Sequence, residues 1–208
     1  MSRWAHPVLT NTLVVLAATV LAASAGASAG AFDRIFPVRG STSYGSAHHD
    51  YPATDIFAAC GSRVVAPIRG RVLEVSRRDR WDPATDRPAD RGGKFVAIRG
   101  ADGVRYYGSH LRSLAGATSP GAVVRRGQLL GRVGHSGNAR STACHLHFGI
   151  SPVCSRTGDW WVRRGVVPPY RYLRSWQRGG DRSPRREVRQ WRHRHGCSRS
   201  AVLGAMTA

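Results

Sequence analysis

Two histidines stand one residue apart in the stretch CHLHFGI, residues 144–150. Successive side chains of a β-strand point to opposite faces, so His145 and His147 would share one face while Leu146 and Phe148 point into a core. Imidazole nitrogen is a common zinc ligand and a general base near neutral pH. Such a pair alone more often has a structural role, so metal chemistry requires further ligands from elsewhere in the chain.

Two other segments supply those side-chain types. The stretch SAHHDYPATDIF contains His48, His49, Asp50 and Asp55, and the stretch SHL places His110 at the end of a predicted strand. A catalytic zinc usually has three protein ligands and an open position for water. Together, the three segments predict a zinc site.

The order of these motifs resembles that of the lysostaphin/LytM-type zinc metallopeptidases, peptidase family M23. The similarity runs from about Phe36 to Ile150 and also includes the stretches CGSRVVAPIRGRV and GAVVRRGQLLGRVGHSGNA. It implies a mostly β fold, a compact antiparallel β domain with an open groove. It also implies Zn²⁺ as the cofactor and the peptides of bacterial peptidoglycan as the substrate.

Position by position, the resemblance implies a role for each motif residue. His147, the second histidine of His-x-His, would bind the metal, and so would Asp55, which is followed by the family's Ile and Gly-x-x-Val-x-Ala run. His145 and His110 would be catalytic residues beside the metal. Tyr107 lies one position further from His110 than in the family's Tyr-x-His pattern, and no role is assigned to it.

The third ligand would be a histidine upstream of Asp55, at a longer spacing than the family usually has. A two-residue insertion, YP, preserves the even parity that keeps two strand side chains on one face, which favours His49. Pro52 would remove that argument if it interrupts the strand, which leaves His48 as the alternative. Asp50 is interpreted as a partner of the ligands or a surface residue.

The motifs also predict how the chemistry is divided. No H-E-x-x-H motif is present, so the glutamate base of many zinc peptidases is missing. His145 and His110 would therefore orient or deprotonate the water and stabilise the oxyanion. We expect a zinc metalloendopeptidase that hydrolyses peptidoglycan. The alternative is a non-catalytic LytM-like regulator, or a wall-binding protein, that activates other cell-wall hydrolases.

The segments that must position these residues are predicted to be short β-strands. A β-hairpin is predicted by the stretch FVAI, the turn residues Asp102-Gly103 and the stretch VRYY. Glycine residues predict turns in the segments on either side. No sustained helical period appears between Phe36 and Ile150. Residues 77–93 are polar and contain two prolines, which predicts a long surface loop.

The N-terminal segment predicts export. Residues 1–29 have basic residues first, then an apolar run, then an A-x-A cleavage site, the layout of a secretory signal peptide. No later segment is apolar enough to span a membrane, so we expect a secreted, cell-wall-associated protein. In an oxidising environment the four cysteines, Cys60, Cys144, Cys154 and Cys197, predict two disulfides, with three possible pairings.

The charge distribution defines the remaining segments. We expect the metallopeptidase domain at 30–173, with its core at 36–150, and an Arg-rich tail at 174–208, of which the stretch REVRQWRHRHG predicts a short basic helix. The formal net charge of +20 predicts binding to polyanions. Export and the absence of a nucleic-acid-binding motif argue against nucleic acid. Anionic cell-wall polymers are the expected partners, with the tail as an interaction or solvated segment.

Overall fold

The computed structural model describes residues 1–2, 34–48, 50–154 and 160–197. The expected signal peptide, residues 1–29, lies outside the described residues apart from Met1 and Ser2. Among the described residues, no helix is long and apolar enough to cross a membrane.

Within these described residues, ten strands, three helices and one short 3₁₀ helix follow one another. The strands are β1 (Thr42–Tyr44), β2 (Ala53–Ala58), β3 (Arg63–Val65), β4 (Gly70–Ser76), β5 (Phe95–Gly100), β6 (Val104–Ser109), β7 (Leu111–Leu114), β8 (Val123–Val124), β9 (Leu129–Val133) and β10 (His145–Pro152). The helices are α1 (Trp160–Arg164), α2 (Tyr170–Gln177) and α3 (Arg185–His195), and the 3₁₀ helix covers Gly137–Ala139. The mostly β expectation is confirmed.

The strands form two antiparallel sheets. The large sheet has the order β1-β2-β10-β6-β5-β4-β8, and the small sheet has the order β3-β9-β7. The chain passes from the large sheet to the small one at His110, between β6 and β7. A bridge between Gly134 and His145 joins the sheets again beside the His-x-His motif.

The predicted hairpin is the β5–β6 pair. Gly103, at its turn, has a φ of +79°, which glycine adopts at little cost. The Asp102 carboxylate is buried and accepts hydrogen bonds from Val104 N–H at 3.2 Å and from Tyr106 Oη at 2.7 Å. The loop between β4 and β5 has neither helix nor strand, as its composition predicts.

The core lies on the face of β10 opposite the histidines. Leu146 and Phe148 belong to the cluster of buried hydrophobic residues, whereas His147 contacts Asp55 and His145 contacts His110, so the alternation expected of this strand is confirmed. The aromatic ring of Phe148 lies 6.2 Å from that of Trp176 on α2, and Val188 of α3 belongs to the same cluster of buried residues. Helix α3 occupies the stretch in which a basic helix was expected, and α2 continues through position 174, the expected start of the tail.

Both expected disulfides are present. Cys60, just after β2, is bonded to Cys144, and Cys154 is bonded to Cys197, just after α3. The second bond attaches the end of the helical segment to the end of the strand that carries the His-x-His motif.

Candidate metal centre and active site

Strand pairing places an aspartate directly opposite a histidine. His147 of β10 is paired with Asp55 of β2 on one side and with Ser109 of β6 on the other, so the three side chains share a face of the large sheet. Nδ1 of His147 lies 2.9 Å from Oδ1 of Asp55. Two of the expected ligands therefore meet through the register of adjacent strands.

His48 completes a group of three possible ligands. Its Nε2 lies 3.7 Å from Oδ2 of Asp55, and its ring lies 5.1 Å from the ring of His147. One ligand atom of each of the three residues lies within 4.8 Å of the others, so they could hold a metal ion. His49, which spacing favours as the ligand, lies outside the described residues.

The hydrogen bonds of His147 test whether this group fits a metal. Its Nε2 lies 3.0 Å from the carbonyl oxygen of Arg164. A carbonyl only accepts hydrogen bonds, so Nε2 carries a proton, and Nδ1 is the ring nitrogen that faces the Asp55 carboxylate. Two facing lone pairs repel unless a cation or a second proton lies between them. The pair therefore fits a metal bound at Nδ1 and Oδ1, with Arg164 fixing the ring from the other side.

Glycine allows the Arg164 carbonyl to reach the ring. Arg164 is the last residue of α1, and Gly149 follows His147 by two positions on the same face of β10. A Cβ at Gly149 would collide with the Arg164 carbonyl oxygen and carbon. The absence of a side chain at this position therefore lets the end of α1 lie against the strand and accept the His147 hydrogen bond.

His110 lies at the crossing between the two sheets. Its φ of +62° is in the left-handed region, which is uncommon for a residue other than glycine and is often found at functional sites. The backbone turn brings its ring within 4.9 Å of the His145 ring and 5.9 Å of the His147 ring. Its Nδ1 donates to the Ser136 carbonyl oxygen at 2.8 Å, which leaves Nε2 as an acceptor.

His145 is held in the same tautomer. Its Nδ1 donates to the Ala143 carbonyl oxygen at 2.9 Å, so its Nε2 is also an acceptor. The main chain of His145 donates to the Gly134 carbonyl at 3.0 Å, which anchors the residue to the small sheet. His110 and His145 are 8% and 5% exposed. The two expected catalytic histidines are thus oriented by main-chain carbonyls.

The surroundings lower the pKa of His110 and also that of Asp55, which keeps the histidine neutral and the carboxylate ionised. Burial, assisted by the charges of His147 and His145, lowers the pKa of His110 from 6.5 to about 3, so its ring is neutral at physiological pH. Burial alone would raise the pKa of Asp55, but the hydrogen bond and charge of His147, with smaller contributions from His145 and His48, lower it to about 2. The site therefore combines an ionised carboxylate with a neutral base.

Tyr51 is a site residue that the sequence did not reveal. Its hydroxyl lies 3.5 Å from Nε2 of His147, and its ring packs 4.5 Å from the His48 ring and under the Arg164 guanidinium, 4.4 Å away. Burial raises its pKa, so the hydroxyl remains a donor. Tyr51 belongs to the two-residue YP insertion, and nothing in the type or spacing of its neighbours in the sequence indicates that it lies beside the histidines.

Tyr107 is also close to the metal-binding face. Its ring lies 6.2 Å from that of His147, and its side chain is fully buried. It therefore forms part of the floor beneath the histidines.

Comparison with known proteins shows the family to which this chain belongs. The family model described as Peptidase family M23 matches residues 49–158, more than half of the chain. The chain belongs to peptidase family M23.

Two relatives show how far the similarity extends. The chain is 31% identical over 156 residues to the L-Ala–D-Glu endopeptidase of Bacillus subtilis (strain 168), a match that covers 68% of this chain and 43% of that protein. The chain thus spans less than half the length of this curated relative. Lysostaphin from Staphylococcus simulans has a similar fold, with a TM-score of 0.52 and 22% identity over 75% of this chain and 59% of the other.

Proposed function

We propose that this chain is a secreted zinc-dependent endopeptidase that hydrolyses peptide bonds in bacterial peptidoglycan. The observation that carries the proposal is the convergence of three possible metal ligands with two oriented histidines on one face of the sheet. Membership of peptidase family M23 and the similarity to an L-Ala–D-Glu endopeptidase support it. The presence of both histidines favours catalysis over the non-catalytic regulator.

His48, Asp55 and His147 would hold the metal. Two imidazole nitrogens and a carboxylate oxygen form a donor set that suits zinc and leaves a position for water. When bound, zinc lowers the pKa of water towards neutrality and polarises a carbonyl group. His48 takes the place of the expected ligand His49, because its Nε2 lies 3.7 Å from Oδ2 of Asp55 and within 4.8 Å of a ligand atom of His147.

His145 and His110 would move the proton. Both present an unprotonated Nε2, so either can accept a proton from an attacking water and later deliver it to the leaving amine. The low pKa of His110 keeps its ring neutral over the whole physiological range, so its Nε2 would accept a hydrogen bond that orients the attacking water. The Tyr51 hydroxyl, 3.5 Å from Nε2 of His147, would help to orient the ring of that ligand.

Anionic wall polymers would retain the protein at its substrate. Helix α3 exposes Arg185, Arg186, Arg189, Arg192 and Arg194, and the whole chain carries a formal net charge of +20. Exposed cations attract a polyanion over about one Debye length, so the interaction would weaken with salt. The two disulfides agree with the expected export.

The test is digestion of purified peptidoglycan with mass analysis of the products, in the presence and absence of a zinc chelator. We expect new peptide termini that disappear with chelator, return with added zinc, and are not produced by His147→Ala. Cleavage that resists chelation, or no cleavage by protein that holds one zinc ion per chain, would contradict the proposal.

A further inference from the structure

Phe57 of β2 is an aromatic residue that is exposed beside the candidate active site. It is 41% exposed, and among the described residues the only other large hydrophobic residues with such exposure are Met1 and Val123. Phenylalanine is among the residue types most often buried, and aromatic rings dominate the energetics of binding surfaces. The exposed ring of Phe57 is thus available to another molecule.

Phe57 lies in the same row of side chains as His145. The two residues are paired across β2 and β10, and their rings are 5.2 Å apart. Asp55 precedes Phe57 by two positions on the same strand, so both side chains point to the face that carries His147. Ile56, between them, is fully buried on the opposite face. Phe57 therefore adjoins both the candidate metal centre and a candidate catalytic histidine.

Exposure along this face of β2 increases from the end covered by α1 towards Phe57. Ala53 is paired with Gly149 and is buried where the end of α1 lies against the strands. The Asp55 side chain, in the next row, is 24% exposed, and Phe57 follows in the row after that. Since Asp55 and Phe57 occupy successive positions on this face, no other residue of β2 separates them. The candidate metal centre therefore opens towards Phe57.

Phe57 also lines a cavity of about 500 Å³ at the edge formed by β1 and the end of β2. The other described residues of its lining are serine, threonine, alanine and the disulfide-bonded Cys60 and Cys144, so none of them is charged. The volume is in the range of small-ligand sites. A charged side chain would find no partner of opposite charge in this lining, whereas an apolar one would be removed from water against Phe57 and the disulfide.

The spacing of the rows sets which substrate residue could reach Phe57. Side chains two positions apart on a strand are separated by about 6.6 Å. An extended peptide advances about 3.3–3.6 Å per residue. A peptide whose scissile bond lies at the metal centre would thus reach Phe57 with a residue within two positions of that bond.

We propose that Phe57 is a specificity-determining residue, whose exposed ring contacts an apolar substrate side chain within two residues of the scissile bond. The inference rests on the proposed endopeptidase function and deepens it, because it names the class of side chain that the substrate carries beside the metal centre. That side chain packs on the Phe57 ring and enters the uncharged cavity that Phe57 lines.

The experiment uses pairs of synthetic peptides around the bond identified by product mass analysis. Each pair has Leu or Asn, which are similar in size, at one of the two residues on either side of the bond. We expect one position to show about a tenfold preference for Leu in kcat/KM, the effect of partly burying one apolar side chain. Phe57→Ala should bring this ratio close to one, and Phe57→Leu should keep most of it. The ratio is the readout, because loss of the contact with His145 would lower kcat for both peptides alike.

The matched control is Val123→Ala, which removes an exposed apolar side chain from β8, at the opposite edge of the large sheet, and should keep the preference. Titration calorimetry of the chelated protein with alanine pentapeptides that have Leu or Asn at the centre separates this inference from the proposed function, since it requires neither metal nor cleavage. Tighter binding of the Leu pentapeptide, lost in Phe57→Ala, supports the subsite even if no bond is cleaved.

Three results would overturn the role of Phe57. Equal kcat/KM for Leu and Asn at all four positions does so for an active enzyme, and equal binding of the two pentapeptides does so for an inactive one. The third is a preference for Leu that Phe57→Ala leaves unchanged, including the case in which sedimentation shows that the variant has lost only a dimer.

Discussion

The carbonyl oxygen of Arg164 accepts a hydrogen bond from Nε2 of His147 at 3.0 Å, on the side of the ring opposite Asp55. A main-chain group at the end of a helix thereby orients the ring of the proposed metal ligand on a neighbouring strand. Partners of this kind raise metal affinity because they orient the ring and increase its basicity.

The first prediction concerns the close approach that this hydrogen bond requires. Gly149→Ala would push α1 away from β10 and remove the bond to His147, so zinc affinity should fall by about 10- to 100-fold. Competition with a chromophoric chelator measures the affinity. Gly116→Ala is the control, since a Cβ there meets no atom within 4 Å. Near-ultraviolet circular dichroism checks that both variants are folded. An unchanged affinity in folded Gly149→Ala would contradict the role of the carbonyl.

The second prediction separates the two adjacent histidines. His48→Ala should lose stoichiometric zinc, because it removes one of the three grouped ligands, whereas His49→Ala should retain about one zinc ion per chain. Metal analysis after dialysis gives the answer directly. Loss of zinc from His49→Ala alone would restore the ligand favoured by sequence spacing.

The third prediction concerns His110 and His145, the two histidines proposed to transfer protons. In His110→Asn the new residue, asparagine, tolerates the left-handed backbone of this position. His145→Ala removes the imidazole of the second proposed base. Each should lower kcat by about 10²- to 10⁴-fold with little loss of bound zinc. Peptide hydrolysis and metal content are measured on the same samples. If kcat falls only in proportion to lost zinc, the residues are not acting as bases.

The fourth prediction follows from the depressed pKa of His110 in the metal-free protein. The folded state resists protonation down to about pH 3, while an unfolded histidine takes up a proton near pH 6.5. The stability that this residue contributes is therefore present above pH 6.5 and is lost as the pH falls towards 3. One proton corresponds to a slope of up to about 1.4 kcal/mol per pH unit.

Urea unfolding at several pH values tests this dependence. His110→Asn should reduce the slope of the free energy of unfolding between pH 6.5 and 3, and the exposed His135→Asn serves as the control. Identical slopes in wild-type and His110→Asn protein would show that His110 is readily protonated in the folded state.

The fifth prediction concerns the basic helix. Deletion after Arg174 would remove the buried Trp176 and Val188 as well as Cys197, so it would test folding and not charge. Replacement of Arg186, Arg189 and Arg192 by Gln should instead weaken retention on purified walls by about tenfold at low salt. The difference should vanish near 1 M salt, where the Debye length is only about 3 Å. Cleavage of a small soluble peptide should be unchanged. Full wall retention by the triple variant would exclude α3 as the tether.

Much of the site was predictable because strand periodicity is regular. The shared face of His145 and His147, the opposite face of Leu146 and Phe148, and the presence of two disulfides follow from parity and cysteine number. The parity of the spacing could not decide whether His48 or His49 is the ligand, because strand β2 begins at Ala53 and both histidines precede it in the sequence. A parity argument holds only within a strand.

Other features had no sequence signature. The Arg164 carbonyl is a main-chain group, and its position depends on how α1 packs against β10. The helical segment was expected as a charged tail because arginines outnumber its apolar residues. Nevertheless, Trp176 of α2 and Val188 of α3 are buried in the core cluster, whereas the arginines of α3 are exposed.

The two disulfides flank a single strand. Cys144 immediately precedes β10 and Cys154 follows it closely, so the strand that carries His145 and His147 is covalently tied at both ends to distant parts of the chain. Neither bond persists where cellular reductants keep thiols reduced. A chain made in such a compartment would hold its metal-binding strand by hydrogen bonds and packing alone. Oxidation would then act as a maturation step that fixes this strand at both of its ends.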